Sequence, residues 1–457
     1  MKTSQFEPIR ANSNRLSLIV TFAIFSIFLI SCSAEYIDPV YTPNDSLPEM
    51  NTPHFVPYEQ ALAELNSMLR DIDIQTRGGR STRQISDCYL ASDLSLTKSG
   101  DGKEEPAVYV FNFENDQGFA IISADDRTAP VLAVTDSGNL PQGAVVDHPG
   151  LAMFLQGAYA YMQGIINSEE ENNDVITRGL SPEDQDAYDD YNGNEYTYHT
   201  AHSAWNNAYY GTLLATEWGQ GNPYNKYCRK SNGNEAVVGC VAIAVAQLMA
   251  YYKHPSSYNG HAFVWTDMLD WTIAGQDMVA MLAKQVGLPQ NLNIDYDYDE
   301  MGAGGWLDEV PRTFSNMGYT NGGTAKAYNF LELRTQLAAN KPAIVAGYGI
   351  MIRYESVFGV ITDTSHKDGH CWVVDGGLDR DRTITTYRNG TYYSHCIERQ
   401  FLLHCNWALN RNNIDYNGYF LNEAFNMLAM PVTRATYTYG KEGYYNYNLQ
   451  MVTGVVK

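Results

Sequence analysis

The sequence predicts an α+β protein made of two folded units. The chain has 457 residues, which is more than one hydrophobic core usually covers. Apolar residues make up 44% of the chain and charged residues 18%, a balance that excludes a wholly disordered protein. Tyrosine (34) and glycine (37) are frequent, which favours a loop-rich mixture of helices and strands over a helical bundle.

The charge balance narrows the partners that the protein can have. The formal net charge is −22 at pH 7. A chain this acidic has no means of neutralising the phosphates of a nucleic acid, so nucleic acid is excluded as the main partner. It also lacks an extended basic patch for anionic lipids.

The N-terminus predicts export. A basic start is followed by an apolar run over residues 16–30, which is short for a membrane span and typical of a signal peptide. The run ends in Leu-Ile-Ser-Cys, which resembles the bacterial lipobox, so residues 1–32 are predicted to be a lipoprotein signal with Cys32 lipidated. The alternative is an ordinary signal peptide with an accidental cysteine. Residues 33–53 are predicted to be a tether between Cys32 and the folded part of the chain. The expected location is lipid-anchored on a bacterial membrane, the outer one, or released after processing.

Residues 54–167 are predicted to form the first folded unit. Apolar residues at 61, 62, 65, 68 and 69 have the spacing of an amphipathic helix. Two apolar runs flank a polar Glu-Asn-Asp-Gln-Gly turn, which predicts a β-hairpin. The expected elements of this unit are a helix over 58–70, strands over 108–113, 119–123 and 131–134, and a second helix over 151–167.

An acidic segment separates this unit from the rest of the chain. Residues 168–193 are rich in Asp and Glu and lack an aliphatic pattern, so they predict an exposed linker that a protease can cut. Arg178 in the linker and Arg77 in the first unit are candidate processing sites. The larger unit then covers residues 194–457.

The cysteines do not predict a disulfide scaffold or a metal site. Six remain after Cys32, in more than four hundred residues, which is a low density. The chain has no Cys-x-x-Cys motif, the usual spacing of structural zinc. We therefore expect no metal and no cofactor.

The segment GCVAIAVAQLMAYY carries the first candidate for chemistry. Its composition predicts a helix that begins at Cys240, after Gly239 and a polar loop, and ends before Pro255. The unpaired N–H groups and the dipole of a helix N-terminus favour an anion, so this position is expected to lower a thiol pKa. The alternative is an inert buried thiol.

Three other motifs could supply the base, the orienting group and the oxyanion donor that a catalytic thiolate needs. His370 begins a strand 130 residues after Cys240, the order and separation of papain-like enzymes. Asn406 lies at the end of another predicted strand and could orient the imidazole, as the third member of a triad does. Gln220, in a Gly-Pro-Asn loop, could donate its amide to an oxyanion.

The strings WGQGNPYN, GCVAIAVAQLM, GHCWVVDG and HCNW, in this order, resemble the streptopain family of cysteine proteases. Residues 54–167 are similar to the inhibitory propeptide of that family. The resemblance implies a papain-like catalytic domain, with a helical part and an antiparallel β part, behind a small α+β propeptide. It also implies that Cys240 is the nucleophile and that His370 is the general base and acid. The Cys240 N–H and Gln220 would form the oxyanion hole, and Asn406 with Trp407 would frame the histidine.

One motif departs from the family pattern. The family continues Asn-Trp with Gly-Trp-Gly-Gly, whereas this chain reads Ala408-Leu409-Asn410-Arg411. A tryptophan that would shield the histidine is missing, so the shape of the cleft and the turnover rate are in question. Cys371 stands where the family often has alanine.

The expected function is that of a secreted or surface-anchored cysteine endopeptidase made as a zymogen. Its partners would be protein or peptide substrates, its own propeptide as an intramolecular inhibitor, and an activating protease. The same residues leave open a pseudoprotease, or a surface lipoprotein that binds peptides or host proteins without cleaving them. An adhesive surface lipoprotein and an amidase or acyltransferase acting on small molecules are further alternatives.

Overall fold

The computed structural model describes most of the chain after its N-terminal segment. The described residues are 54–76, 83–92, 106–173, 197–298, 303–348, 355–357, 360–362, 369–409, 415–425 and 448–457. Cys32, Arg77, Arg178 and the predicted tether lie outside these residues, so the predictions about them stay predictions. Among the described helices, none is long and apolar enough to cross a membrane.

Seven α-helices and seventeen strands are found in the described residues. The helices are α1 Tyr58–Thr76, α2 Pro149–Asn173, α3 Cys240–Tyr252, α4 Trp265–Leu269, α5 Ile273–Val286, α6 Val310–Asn316 and α7 Phe330–Ala338. The first nine strands are β1 Ile85–Ser92, β2 Ala107–Phe113, β3 Phe119–Ser123, β4 Val131–Thr135, β5 Val145–Val146, β6 Tyr198–His202, β7 Asn206–Tyr210, β8 Ser257–Tyr258 and β9 His261–Ala262. The others are β10 Asn321–Ala327, β11 Ala343–Tyr348, β12 Glu355–Val357, β13 Val360–Thr362, β14 His370–Arg388, β15 Thr391–Asn406, β16 Gly418–Leu421 and β17 Asn448–Val456.

One large antiparallel sheet organises the described chain. Its strands follow the order β1-β2-β3-β4-β16-β15-β14-β11-β17-β10, and β6 and β7 pair with β14. The first four strands come from the propeptide-like segment and the others from the larger unit. The junction is the antiparallel pair β4–β16, in which Val134 lies opposite Tyr419. The two predicted units therefore share one sheet.

The packing at this junction requires a glycine. Gly418 begins β16 at a φ of 153°, and a Cβ atom there would lie 2.4 Å from the carbonyl oxygen of Val134. Any larger residue would push β4 away from β16, because real Cβ atoms do not approach backbone so closely.

The apolar cores are also shared between the two segments. Phe154 of α2 packs edge-to-face on Phe420 of β16, with ring centroids 4.8 Å apart. On the other face of β14, the buried helix α3 packs with α5 in a core that includes Val373. Helices thus cover both faces of the central strands, and the predicted α+β class is confirmed.

The element bounds agree with the sequence patterns except at helix ends. The hairpin strands and the helix from Cys240 occur where they were expected. α1 and α2 continue six residues beyond their predicted ends, to Thr76 and Asn173. Residues 168–173, expected to belong to the linker, are therefore helical, because Glu and Asn can extend an existing helix that tertiary packing has already nucleated.

Candidate active site

Cys240 is the first residue of α3, and a buried side chain of this helix connects the elements of the site through hydrogen bonds. Residues Val241 to Ala250 are buried, and Gln247 is the one strongly polar side chain among them. Its Oε1 accepts a hydrogen bond from the main-chain N–H of Trp218 (3.0 Å), and its Nε2 donates to Asn406 Oδ1 (2.9 Å). The helix that carries the thiol is thereby connected to the loop before Gln220 and to the end of β15.

Backbone N–H groups lie near the thiol of Cys240. Those of Cys240 itself and Val241 belong to the helix N-terminus, that of Cys371 belongs to β14, and all three act to lower the thiol pKa. Burial nevertheless raises the pKa of the Cys240 thiol above its ordinary value, and the three donors offset this only in part. The expectation of a lowered thiol pKa is therefore wrong for the form with the propeptide segment in place, because desolvation outweighs the helix N-terminus.

His370 is the first residue of β14 and is buried. Its Nε2–H donates to the carbonyl oxygen of Trp407 (2.7 Å), because a carbonyl can only accept. The imidazole lies nearly parallel to the Trp372 ring, with an angle of 12° and ring centroids 6.5 Å apart. The bond to Trp407 fixes Nε2 as a ring nitrogen that carries a proton.

Trp407 contacts His370, whereas the side chain of Asn406 makes its hydrogen bonds to other residues. The Asn406 amide donates to the Thr216 carbonyl (2.7 Å) and accepts from Gln247. Trp407 is fully buried, and its carbonyl oxygen is the hydrogen-bond acceptor for the imidazole. Asn406 therefore braces the strand end, while the backbone of Trp407 orients the ring.

Gln220 lies in the loop that precedes α3. Its side-chain Nε2 donates to the Ala408 carbonyl oxygen (3.2 Å), and its own carbonyl accepts from the Val238 N–H (2.9 Å). Ala408 has a φ of 55°, a left-handed conformation that costs a non-glycine residue about 1–2 kcal/mol. Ala408, which stands in place of the family's glycine, thus has a backbone conformation that glycine readily adopts. Its carbonyl oxygen accepts the hydrogen bond from the Gln220 side chain.

The propeptide-like segment contacts both His370 and Trp407. His148 caps α2 by accepting from the Leu151 N–H (3.1 Å), and its ring centroid lies 6.3 Å from that of His370 and 6.2 Å from that of Trp407. A Cβ atom at Gly150 would lie 2.3 Å from the Trp407 ring, so α2 begins in direct contact with this side chain. Strand β5, just before α2, pairs in parallel with β13 of the larger unit.

A second polar centre joins the two segments, and the sequence analysis missed it. His404 Nδ1 bonds Asp375 (2.6 Å) and Nε2 bonds Asp136 of the propeptide-like segment (3.0 Å). Asp136 also pairs with the buried Arg83 (3.3 Å). Burial lowers the pKa of His404, but Asp375 and Asp136 outweigh it and raise the pKa to about 10. No sequence signal could have found this centre, because His404 and Asp136 are 268 residues apart.

The charge of His404 predicts a pH dependence of stability. Because the folded pKa is about 10, above the ordinary 6.5, the stabilisation is complete below about pH 6.5 and is lost as the pH rises towards 10. Between about pH 7 and pH 10 the free energy of unfolding is expected to fall more steeply in the wild type than in His404→Gln, by on the order of a few kcal/mol. Urea unfolding at several pH values measures both slopes. Parallel slopes would contradict the assignment of charge to His404.

Among the described residues, no group of three or more His, Cys, Asp or Glu side chains has the arrangement of a metal site. The candidate site is made up of a thiol at a helix N-terminus, an imidazole at the start of β14 and a side-chain amide in the loop before α3. These are the groups that covalent catalysis by cysteine uses.

Comparisons with known proteins agree with this geometry. Residues 218–420 match the model of the Peptidase C10 family, and residues 53–162 match that of the Spi protease inhibitor. The chain is 27% identical over 175 residues to the thiol protease/hemagglutinin PrtT of Porphyromonas gingivalis, covering 36% of this chain and 18% of that protein. It is 22% identical over 340 residues to streptopain of Streptococcus pyogenes serotype M1, covering 64% of this chain and 74% of that protein.

A solved structure of a prointerpain A fragment from Prevotella intermedia is 21% identical, with a TM-score of 0.48, and covers 81% of this chain and 99% of that one. The chain matches less than a fifth of the length of PrtT. The two family models together cover more than half of the chain, in the order inhibitor-like segment and then peptidase segment. The chain belongs to the peptidase C10 family of cysteine proteases, with an inhibitor-like propeptide domain ahead of the peptidase domain.

Proposed function

We propose that the protein is a cysteine endopeptidase made as a zymogen, with Cys240 as nucleophile and His370 as general base and acid. The observation that carries the proposal is the junction of α3 and β14. The backbone N–H of Cys371 lies near the Cys240 sulfur and favours the thiolate, and the residue before it on β14 is His370, whose ring is oriented by Trp407. A thiol and an oriented imidazole on two packed elements support the proposal, because covalent catalysis by cysteine needs a nucleophile and a base that can approach each other.

The chemistry follows from these positions. The Cys240 thiolate attacks the peptide carbonyl carbon, and the Cys240 N–H and the Gln220 amide stabilise the oxyanion. His370 then protonates the leaving amine, which leaves a thioester on Cys240. Water hydrolyses the thioester with His370 as the base, and the free thiol is restored.

The propeptide domain would keep the enzyme latent in two ways. Contacts of His148 and Gly150 with the His370–Trp407 pair occupy the face of the site that substrate would need. In this form, burial also raises the pKa of the Cys240 thiol, which disfavours the thiolate. Maturation would cut the linker, with Arg178 and Arg77 as candidate positions, and would then remove the domain.

We also propose that the chain is exported and anchored through a lipid on Cys32. The support is the apolar run that ends in the lipobox-like sequence. Mass spectrometry of the mature N-terminus tests this part, and an unmodified Cys32 in the exported protein would overturn it.

The function is tested on residues 33–457 under reducing conditions, as the wild type, Cys240→Ala and the control Cys228→Ala, which removes a different free thiol. Chain mass is followed over time, and a thiol-directed epoxide inhibitor is added after linker cleavage with trypsin. We expect the wild type and Cys228→Ala to cleave an unfolded protein and to be labelled at Cys240, and Cys240→Ala to do neither. If the trypsin-cleaved wild type neither labels nor cleaves, the chain is a pseudoprotease or a peptide-binding protein.

A further inference from the structure

Two cysteine thiols meet where α3 packs on β14. Side chains alternate along a strand, so His370 and Trp372 face one side of β14 and Cys371 and Val373 face the other. The side of Cys371 is the one on which α3 packs, and Cys240, the first residue of α3, packs against the apolar cluster that contains Cys371. Cys371 is 1% exposed, and both cysteines are free thiols.

Cys240 and Cys371 also interact electrostatically. The backbone N–H of Cys371 lies near the sulfur of Cys240 and acts to lower the pKa of that thiol. A charge on Cys240 in turn raises the pKa of the Cys371 thiol. The two cysteines are therefore neighbours where the start of α3 meets β14, and a disulfide forms between such neighbours when their side chains turn towards each other with Cα atoms less than about 7 Å apart.

The other buried thiols of the described chain have different neighbours. Cys228 bonds the hydroxyl of Tyr296 (3.5 Å), and Cys405 bonds the Leu403 carbonyl oxygen (3.8 Å). Neither has a described interaction with Cys240. The pair at the α3–β14 junction is therefore specific to Cys371.

We propose that Cys240 and Cys371 form a reversible disulfide that protects the nucleophile against peroxide. Hydrogen peroxide transfers one oxygen atom to the Cys240 thiolate, which gives a sulfenic acid and releases hydroxide. The sulfur of Cys371 attacks the Cys240 sulfur, the S–O bond breaks, and the oxygen leaves as water once protonated. Two thiols lose two electrons in total, and one peroxide becomes two waters. A thiol reductant reverses the reaction.

The pair deepens the proposed function, since its biological value rests on Cys240 being the nucleophile. A nucleophile without a resolving thiol continues to sulfinic acid, which thiols do not reduce. Burial raises the pKa of both thiols, so the reaction is expected to be faster at higher pH.

The test uses the zymogen, residues 33–457, treated with hydrogen peroxide, alkylated in acid and digested for peptide mass spectrometry. The wild type and Cys228→Ala are expected to give a Cys240–Cys371 linked peptide that dithiothreitol removes. In Cys371→Ala this peptide is lost, and Cys240 is found as sulfinic acid that dithiothreitol does not restore. In the matured wild type, activity lost to peroxide should return with dithiothreitol, whereas in Cys371→Ala it should not.

If peroxide oxidises wild-type Cys240 to sulfinic acid and no linked peptide is found, the proposal is overturned. This outcome is measured on the wild type alone, so it does not depend on whether a variant folds. The linked peptide is measured without any catalytic activity. A disulfide in a chain that cleaves no protein after reduction would therefore refute the protease assignment and leave the thiol pair standing.

Discussion

Replacing Gln220 by alanine is expected to lower the kcat of the matured enzyme by about 10²–10³, with little change in KM. The amide is the proposed side-chain donor to the oxyanion, which exists only in the transition state and the intermediate. The substitution leaves the backbone of the loop in place, since the bond from the Val238 N–H goes to the Gln220 main-chain carbonyl. Steady-state kinetics on a peptide substrate separates the two constants.

Gln276→Ala is the matched control for this experiment. The Gln276 Nε2 donates to the Trp271 carbonyl oxygen over 3.2 Å, the same distance as in the Gln220–Ala408 bond. Loss of such a bond on α5 should leave kcat unchanged. If Gln220→Ala raises KM and leaves kcat unchanged, Gln220 binds substrate and is not an oxyanion donor.

Replacing Glu64 by glutamine is expected to lower the free energy of unfolding of the zymogen by about 3 kcal/mol. Glu64 of α1 is buried, pairs with Arg382 and Arg380, and accepts from the Trp205 indole N–H (3.1 Å). The Arg380 guanidinium lies 3.8 Å from the Trp205 ring and is fully buried. Burial lowers the pKa of Arg380 to about 10 against the opposing charge of Glu64, so losing that charge leaves a costly buried cation.

The estimate is at the low end for a broken buried pair because Arg382 keeps its second partner, Glu398 (2.5 Å). Glu59→Gln, an exposed glutamate on the same helix, is the control and should change stability by less than about 0.5 kcal/mol. Urea unfolding gives both values. Since Glu64 belongs to the propeptide domain and its partners to the peptidase domain, Glu64→Gln should also mature faster. Equal stability and equal maturation of the two variants would show that the pair does not hold the domains together.

Local patterns predicted the elements that local physics determines. The helix at Cys240 could be predicted because its apolar, alanine-rich run has no breaker until Pro255. Gln247, a polar residue inside that run, was a readable signal for a buried hydrogen-bonding role, and it was overlooked. Helix ends were underestimated, as for α2, since packing against the sheet extends helices beyond their amphipathic pattern.

The partners of the site residues were beyond sequence reasoning. Whether Asn406 binds the imidazole or braces Gln247 depends on side-chain directions at a strand end, and these are set by tertiary packing. The same holds for His148, which is an ordinary residue before a helix until α2 docks on Trp407. The left-handed conformation of Ala408 was hidden for a related reason, because alanine does not signal a positive φ in the way that glycine does.

The pairing of β4 with β16 has a consequence for the enzyme after maturation. Removing the propeptide domain uncovers the backbone N–H and C=O groups of β16, and a bare strand edge is a template on which another chain can add a strand. β16 has only four residues and begins with Gly418, so the new edge is short. Short edge strands are one way in which proteins limit aggregation. The brevity of β16 thus limits strand addition on an edge that is exposed only after the propeptide domain has been removed.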